Sequence, residues 1–239
     1  MSHPIPMHII ARIRSDFPTK FGIPRQSGLA DTPARIVFEP PYRNADALRG
    51  IDGFSHLWLI WQFSEAVREG WSPTVRPPKL GGNRRVGVFA TRSPFRPNPL
   101  GMSCVVLTGV RQDTRLGPVL CLSGADLMDG TPVFDIKPYL PYSDCFPDAR
   151  AGFTALAPDL LLDVDFPPEL LAHIPEAHRS ALLGVLSHDP RPSYQDDPAR
   201  RYGMGFAGFD IHFTVSEGRL TVVDVAPLEP SEKKGSANQ

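Results

Sequence analysis

Cys104-Val105-Val106-Leu107-Thr108-Gly109-Val110-Arg111 is a short run rich in β-branched residues, and its kind recurs at Val119-Leu120-Cys121-Leu122-Ser123 and Val133-Phe134-Asp135-Ile136. Branching at Cβ costs rotamer freedom in a helix and packs well on a pleated surface, so each run predicts a strand. Upstream, Val86 to Thr91 reads the same way, and apolar residues alternate with others through His8 to Ile13, Ala34 to Phe38 and Phe54 to Phe63. The connections carry many of the chain's 27 prolines and 20 glycines, as in 72–78 and Gly81-Gly82-Asn83. Proline presets φ and glycine opens positive φ, so these are turns. Many short strands punctuated in this way predict a mainly β fold, a barrel or sandwich, over the first two thirds of the chain.

The pattern changes near Pro167. Glu176 to Leu186 sets Ala177, Ala181, Leu182, Val185 and Leu186 on one helical face, and Pro175 separates this helix from a turn over 169–174. Phe209, Ile211, Phe213 and Val215 then alternate, Glu217-Gly218 supplies a turn, and Leu220 to Val225 returns as a second strand. A helix plus a hairpin makes a small α+β domain. The expected division is therefore 1–155 for the β domain and 156–230 for the small one, with the polar stretch 231–239 a disordered tail.

With 239 residues, 41% hydrophobic and 21% charged, the chain suits a globular fold. No apolar run nears the roughly 20 residues that span a bilayer, and Met1 to Arg14 lacks the basic and apolar segments of an export signal. A cytoplasmic protein without a membrane partner is expected. Three cysteines without a C-x-x-C pair argue against a disulfide framework or a thiolate zinc site, and the scattered histidines argue against any metal. The net charge of −1 hides an asymmetry. Residues 70–112 contain no acid but carry Arg76, Lys79, Arg84, Arg85, Arg92, Arg96 and Arg111, whereas 144–176 hold seven acids and one base, Arg150. A short charge run is ordinarily a solvated face; one this long, rich in arginine and broken by Gly and Pro, suits phosphate contact.

Gly203-Met204-Gly205-Phe206-Ala207-Gly208 fits the spacing G-x-G-x-x-G, but it precedes a strand instead of following one and opening a helix. It reads as a flexible lead-in to the hairpin. Two stretches are chemically denser. Val88 to Gly101 sets Arg92, Arg96 and Asn98 in a loop stiffened by three prolines, and Asp126 to Tyr142 combines carboxylates with Lys137 and two tyrosines. Each also has a structural reading, since Asp-Gly is a common turn and Asp135 with Lys137 is an ordinary same-face pair on a strand.

Together with Ile13-Arg14-Ser15, Pro24-Arg25-Gln26-Ser27-Gly28, Gly53 to Trp58, Pro73 to Pro78 and Asp189 to Tyr194, these stretches resemble the tRNA N6-threonylcarbamoyladenosine methyltransferases over nearly the whole chain. The resemblance implies a β-barrel domain that binds S-adenosylmethionine, methyl transfer to N6 of the modified adenosine beside the anticodon, a tRNA anticodon stem-loop as partner, and a homodimer with donor sites near the subunit interface. It implies donor contacts at Pro24, Arg25, Gln26, Ser64, Glu65, Arg92, Leu100, Asp126, Leu127, Met128, Asp129 and Gly130. The chain departs from the family's pattern at Ser64-Glu65, where relatives have His-Gln, and at Asp16, where they have proline. Local chemistry suggests Arg25 or Arg92 for the donor carboxylate, Asp135 as acceptor of the N6 proton and Tyr139 as its positioner. Arg76, Lys79, Arg84, Arg85, Arg96, Asn98 and Lys137 are the candidates for RNA. His56 reads equally as a core histidine beside Trp58 or as a participant. A noncatalytic RNA-binding module and a methyltransferase with a small-molecule acceptor are the competing readings.

Overall fold

The computed structural model describes residues 5–68, 70–77, 80, 84–156, 160–191 and 197–229. In chain order come β1 (Ala11–Ser15), β2 (Pro33–Phe38), β3 (His56–Gln62), β4 (Thr74–Val75), β5 (Val86–Gly87), β6 (Leu100–Asp113), β7 (Gly117–Ser123), β8 (Pro132–Pro138) and the single-turn α1 (Pro141–Asp144). Six of these strands close into an antiparallel barrel in the order β1-β2-β7-β6-β3-β8, with β8 returning to β1 through Ala11 opposite Val133. Closure leaves no unpaired edge.

Alternation decides which side chains face in. Leu57, Leu59 and Trp61 of β3 join Ile13, Ile36, Val105, Leu120, Leu122 and Val133 in the barrel core. Ile60 and Trp58 therefore point outward, opposite Asp135 and Lys137 of β8. β4 and β5 pair only with each other and form an arm between β3 and β6. The strand expected over 86–91 stops at Gly87 and becomes a 3-10 turn at Val88–Ala90. Its neighbour at that point is Pro73, which has a carbonyl for the Val88 N–H (2.9 Å) but no N–H to continue a ladder.

The mainly β barrel is followed by the small α+β unit: β9 (Asp163–Asp165), α2 (Pro168–Leu171), α3 (Glu176–Ser187), β10 (Tyr202–Phe206), β11 (Phe209–Ser216) and β12 (Arg219–Pro227), with sheet order β10-β11-β12-β9. Ala181, Leu182, Val185 and Leu186 of α3 are buried, as their spacing predicts, but Ala177 in the first turn is exposed. Gly203 to Phe206 is not a flexible lead-in: it belongs to β10, paired with β11 across a turn whose Ala207 and Gly208 take φ of 51° and 84°. Gly205 is required by close approach, because a Cβ there would lie 2.7 Å from Pro18 Cγ.

That approach comes from the segment between β1 and β2. Phe17 is fully buried in the second core, edge to face with Phe206 (5.3 Å between centroids), and Phe21, Ile23 and Ala30 pack there too. The Ala207 N–H donates to the Asp16 carbonyl (2.9 Å), and Asp16 Oδ2 meets His178 Nδ1 at 2.7 Å. The second core thus draws on N-terminal sequence. The tail 231–239 lies outside the described residues.

Candidate functional site

β3 ends and β6 begins side by side, Gln62 opposite Leu100, and the barrel mouth opens there into a cavity of about 520 Å³. That volume lies in the range for small-molecule sites. Five pieces of chain form most of its wall: Ile23 to Gln26, Trp61 to Ala66, the loop from Thr91 to Arg96, the start of β6 from Leu100 to Met102, and the turn Asp126 to Met128, with Lys20 and Thr131 beside them.

The floor is a hydrogen-bond chain. Trp61 Nε1 donates to Ser103 Oγ (3.0 Å), which donates to Asp126 Oδ1 (2.6 Å). Burial pushes the Asp126 carboxyl above its ordinary range, and the Ser103 bond and the charge of Arg92 oppose that rise without cancelling it. Gly101 permits the arrangement, because a Cβ at that position would sit 2.3 Å from Trp61 Cε2. On the rim, Arg92 Nη1 donates to Gln26 Oε1, and among the described residues its guanidinium has no carboxylate at ion-pair distance. Arg25 is differently committed. Its Nη2 donates to the carbonyls of Asp189 (3.3 Å) and Arg191 (3.2 Å), so a turn of the C-terminal unit holds the Pro24-Arg25-Gln26 loop from behind. That turn is itself tied by Arg191 Nε to Asp189 Oδ1 at 2.9 Å.

Of the positions implied as donor contacts, Pro24, Arg25, Gln26, Ser64, Glu65, Arg92, Leu100, Asp126, Leu127 and Met128 line this cavity. Asp129 and Gly130 stand just behind it. The Asp129 carboxylate accepts from the Ser15 N–H (3.2 Å) and Arg14 Nη1 (3.3 Å), and the Gly130 carbonyl accepts from Arg12 Nη1 (3.2 Å), so these two pin the turn to β1. Arg96 is the one RNA candidate on the wall. Asn98 is exposed on the loop, Arg76, Arg84 and Arg85 lie on the arm, and Lys79 falls outside the described residues.

Asp135 and Tyr139 do not line the cavity. Asp135 faces outward opposite Ile60 and forms an ion pair with Lys137 (2.9 Å), the same-face pair that its spacing allows. Tyr139 lies against His56 and Trp58 (ring centroids 5.9 and 6.0 Å) at the start of β3. The cavity is at the strand's other end, about 20 Å away at a strand's rise per residue. Lys20, Trp61, Gly101 and Ser103 are site residues that sequence reading missed. Trp61 was legible from the alternation of β3, whereas nothing local distinguishes Lys20 or Gly101.

A closed antiparallel barrel with a nucleoside-sized pocket at its mouth, walled by a guanidinium, a half-buried carboxylate and apolar side chains, defines a small-molecule-binding barrel with a braced rim. Family models describe the same two parts: the tRNA-methyltransferase O N-terminal domain matches residues 12–145 and the TrmO C-terminal domain matches 159–228. The chain belongs to the tRNA-methyltransferase O family. It is 42% identical over 229 residues to the tRNA (adenine(37)-N6)-methyltransferase of Escherichia coli K12, covering 91% of this chain and 96% of that one. It is 46% identical over 177 residues to the enzyme of that name from Eikenella corrodens, covering 74% and 99%. The solved structure of TrmO from Pseudomonas aeruginosa superposes with a TM-score of 0.73 at 36% identity, over 95% of this chain and 100% of that one.

Among the described residues no group of three or more His, Cys, Asp or Glu is placed to hold a metal ion, and no helix is long and apolar enough to cross a membrane.

Proposed function

We propose that the protein transfers a methyl group from S-adenosylmethionine to N6 of adenosine 37 in cytoplasmic tRNA, and that its acceptor carries the N6-threonylcarbamoyl group. The supporting observation is the cavity that gathers Arg92, Asp126, Leu100, Leu127 and Met128 at one barrel mouth. The donor set fits the group. Arg92 answers a carboxylate with two parallel hydrogen bonds, Asp126 takes ribose hydroxyls, and the apolar wall takes the adenine. Arg25 lines the cavity as well, and its Nη2 also braces the loop against the C-terminal turn.

When bound, S-adenosylmethionine supplies an electrophilic methyl on a positively charged sulfur. The chain's own contribution is to hold the incoming nitrogen in line with that bond, exclude water, and accept the N6 proton. Arg96, on the same wall, faces the carboxylate that the threonylcarbamoyl group adds. Asp135 and Tyr139 lie off their own pocket, so the roles of Asp135 as proton acceptor and Tyr139 as positioner require a pocket across a subunit boundary, in keeping with a homodimer. The outer face of β3 and β6, with Met102 50% and Val110 42% exposed, is the apolar surface that would form it. Mixing Asp135→Asn with Arg92→Ala protein restores activity if sites are shared and leaves it absent if they are not.

Single-turnover methylation of matched tRNAs with and without the threonylcarbamoyl group tests substrate choice. A pocket that pairs the carboxylate leaves its cation unpaired without it, and such mismatches reject an analogue by up to about 10⁴-fold. Equal rates overturn the reading in favour of plain adenine N6-methylation.

A further inference from the structure

The arm between β3 and β6 is ordered outward from the pocket. Thr91 and Arg92 line the cavity; next come Trp71 and Phe89 at the base of the β4–β5 hairpin; Arg76, Arg84 and Arg85 lie on its outer part. Trp71 is 52% and Phe89 70% exposed, with centroids 5.9 Å apart and ring planes 31° from parallel. Two large aromatic rings held side by side in water are an expense a fold seldom keeps without a use. The arm is held in place. Val88 between them is buried, its N–H bonds to Pro73, and Arg85 Nη1 donates to Thr74 Oγ1 at 2.9 Å. A third ring, Phe95, is already covered by the Arg68 guanidinium at 4.0 Å.

We infer that Trp71 and Phe89 are a stacking platform for an unpaired anticodon-loop nucleobase next to the target adenosine, with Arg84 and Arg85 on the phosphates beyond it. The inference rests on the RNA reading above and deepens it. A base that enters the pocket must leave its stack, so its neighbour loses one face. An aromatic pair beside the pocket replaces that face, and does so for any base, because every base has a π-face. The stretch from 70 to 112 contains no acid, so the arm itself adds no repulsion to a polyanion. This charge favours nucleic acid over a second copy of the chain as the occupant, since a second copy would bring the same arginines.

The test uses the full-length protein and the anticodon stem-loop of a threonylcarbamoylated tRNA, with 2-aminopurine beside the target. Wild type should quench the 2-aminopurine on binding; Trp71→Ala/Phe89→Ala should weaken stem-loop binding roughly tenfold or more and abolish that quenching. The melting temperature, donor affinity and salt slope should stay as they were, because aromatic rings neutralise no phosphate. Trp71→Phe should keep most of the affinity. Arg84→Ala/Arg85→Ala should instead flatten the salt slope. Unchanged stem-loop affinity in the aromatic double variant overturns the platform, as does a variant that changes sedimentation and not RNA binding, which would assign the rings to a subunit contact. Wild type failing to bind the stem-loop at all would overturn the RNA reading itself.

Discussion

Gly101 carries more of the site than its size suggests. On β6 it leaves room for the Trp61 indole, whose Nε1 begins the chain to Ser103 and Asp126. Gly101→Ala is expected to cost about 1–3 kcal/mol as an overpacked site and to weaken donor binding, whereas Gly109→Ala on the same strand, with nothing within 4 Å of the added Cβ, should do neither. Urea unfolding and titration calorimetry on both variants check this. Asp126 makes a prediction in pH. An acid whose pKa is higher in the folded than in the unfolded chain binds more protons when folded, so stability falls as pH rises from the ordinary carboxylate range through the raised value, and is level beyond it. Asp126→Asn removes that slope. Without donor, wild type and variant should melt together in acid, and the variant should gain on wild type toward neutral pH. A gap that does not widen in calorimetric melts across that range would show that the Asp126 carboxyl is not raised on folding.

At the scale of elements, the segment between β1 and β2 couples two cores. It starts in the barrel, buries Phe17 against Phe206, presents Pro24 to Gln26 to the pocket, and re-enters the barrel at β2. Phe17→Ala should therefore cost about 3–5 kcal/mol, as for a buried aromatic, and should also raise the donor dissociation constant although Phe17 does not line the cavity. Unchanged donor affinity in folded Phe17→Ala protein would show that the loop keeps its shape without that anchor.

The whole molecule should be linked to its donor. A ligand that binds only the folded chain stabilises it by about 2.7 kcal/mol at a hundredfold its dissociation constant, and the donor contacts proposed here use no metal. The thermal shift with S-adenosylmethionine should be the same before and after chelator treatment; a shift lost to chelation would mean that a metal completes the site.

Strand alternation, β-branched runs and Pro-Gly turns were enough to predict a mainly β fold and a small helix-plus-hairpin unit, because in-and-out periodicity is a local property. Part of the pocket wall was available by motif for the same reason: its residues between Arg92 and Leu100 and from Asp126 to Met128 each fall in one contiguous stretch. Tertiary structure alone decided the rest. Asp135 and Asp126 look alike in sequence, but strand register points Asp135 to the barrel's outer face, whereas Asp126, in the turn after β7, lies half-buried against Ser103. Ala177 shares the apolar spacing of α3, but in the first turn it is exposed while Ala181, Leu182, Val185 and Leu186 are buried. Gly203 to Phe206 looked like a loop because its glycines lack β propensity, and they are a strand because Phe17 and Pro18 pack over them. Arg25 lines the cavity and is also held through Nη2 by two carbonyls far along the chain. In each case the outcome depended on contacts between distant residues, which no local pattern encodes.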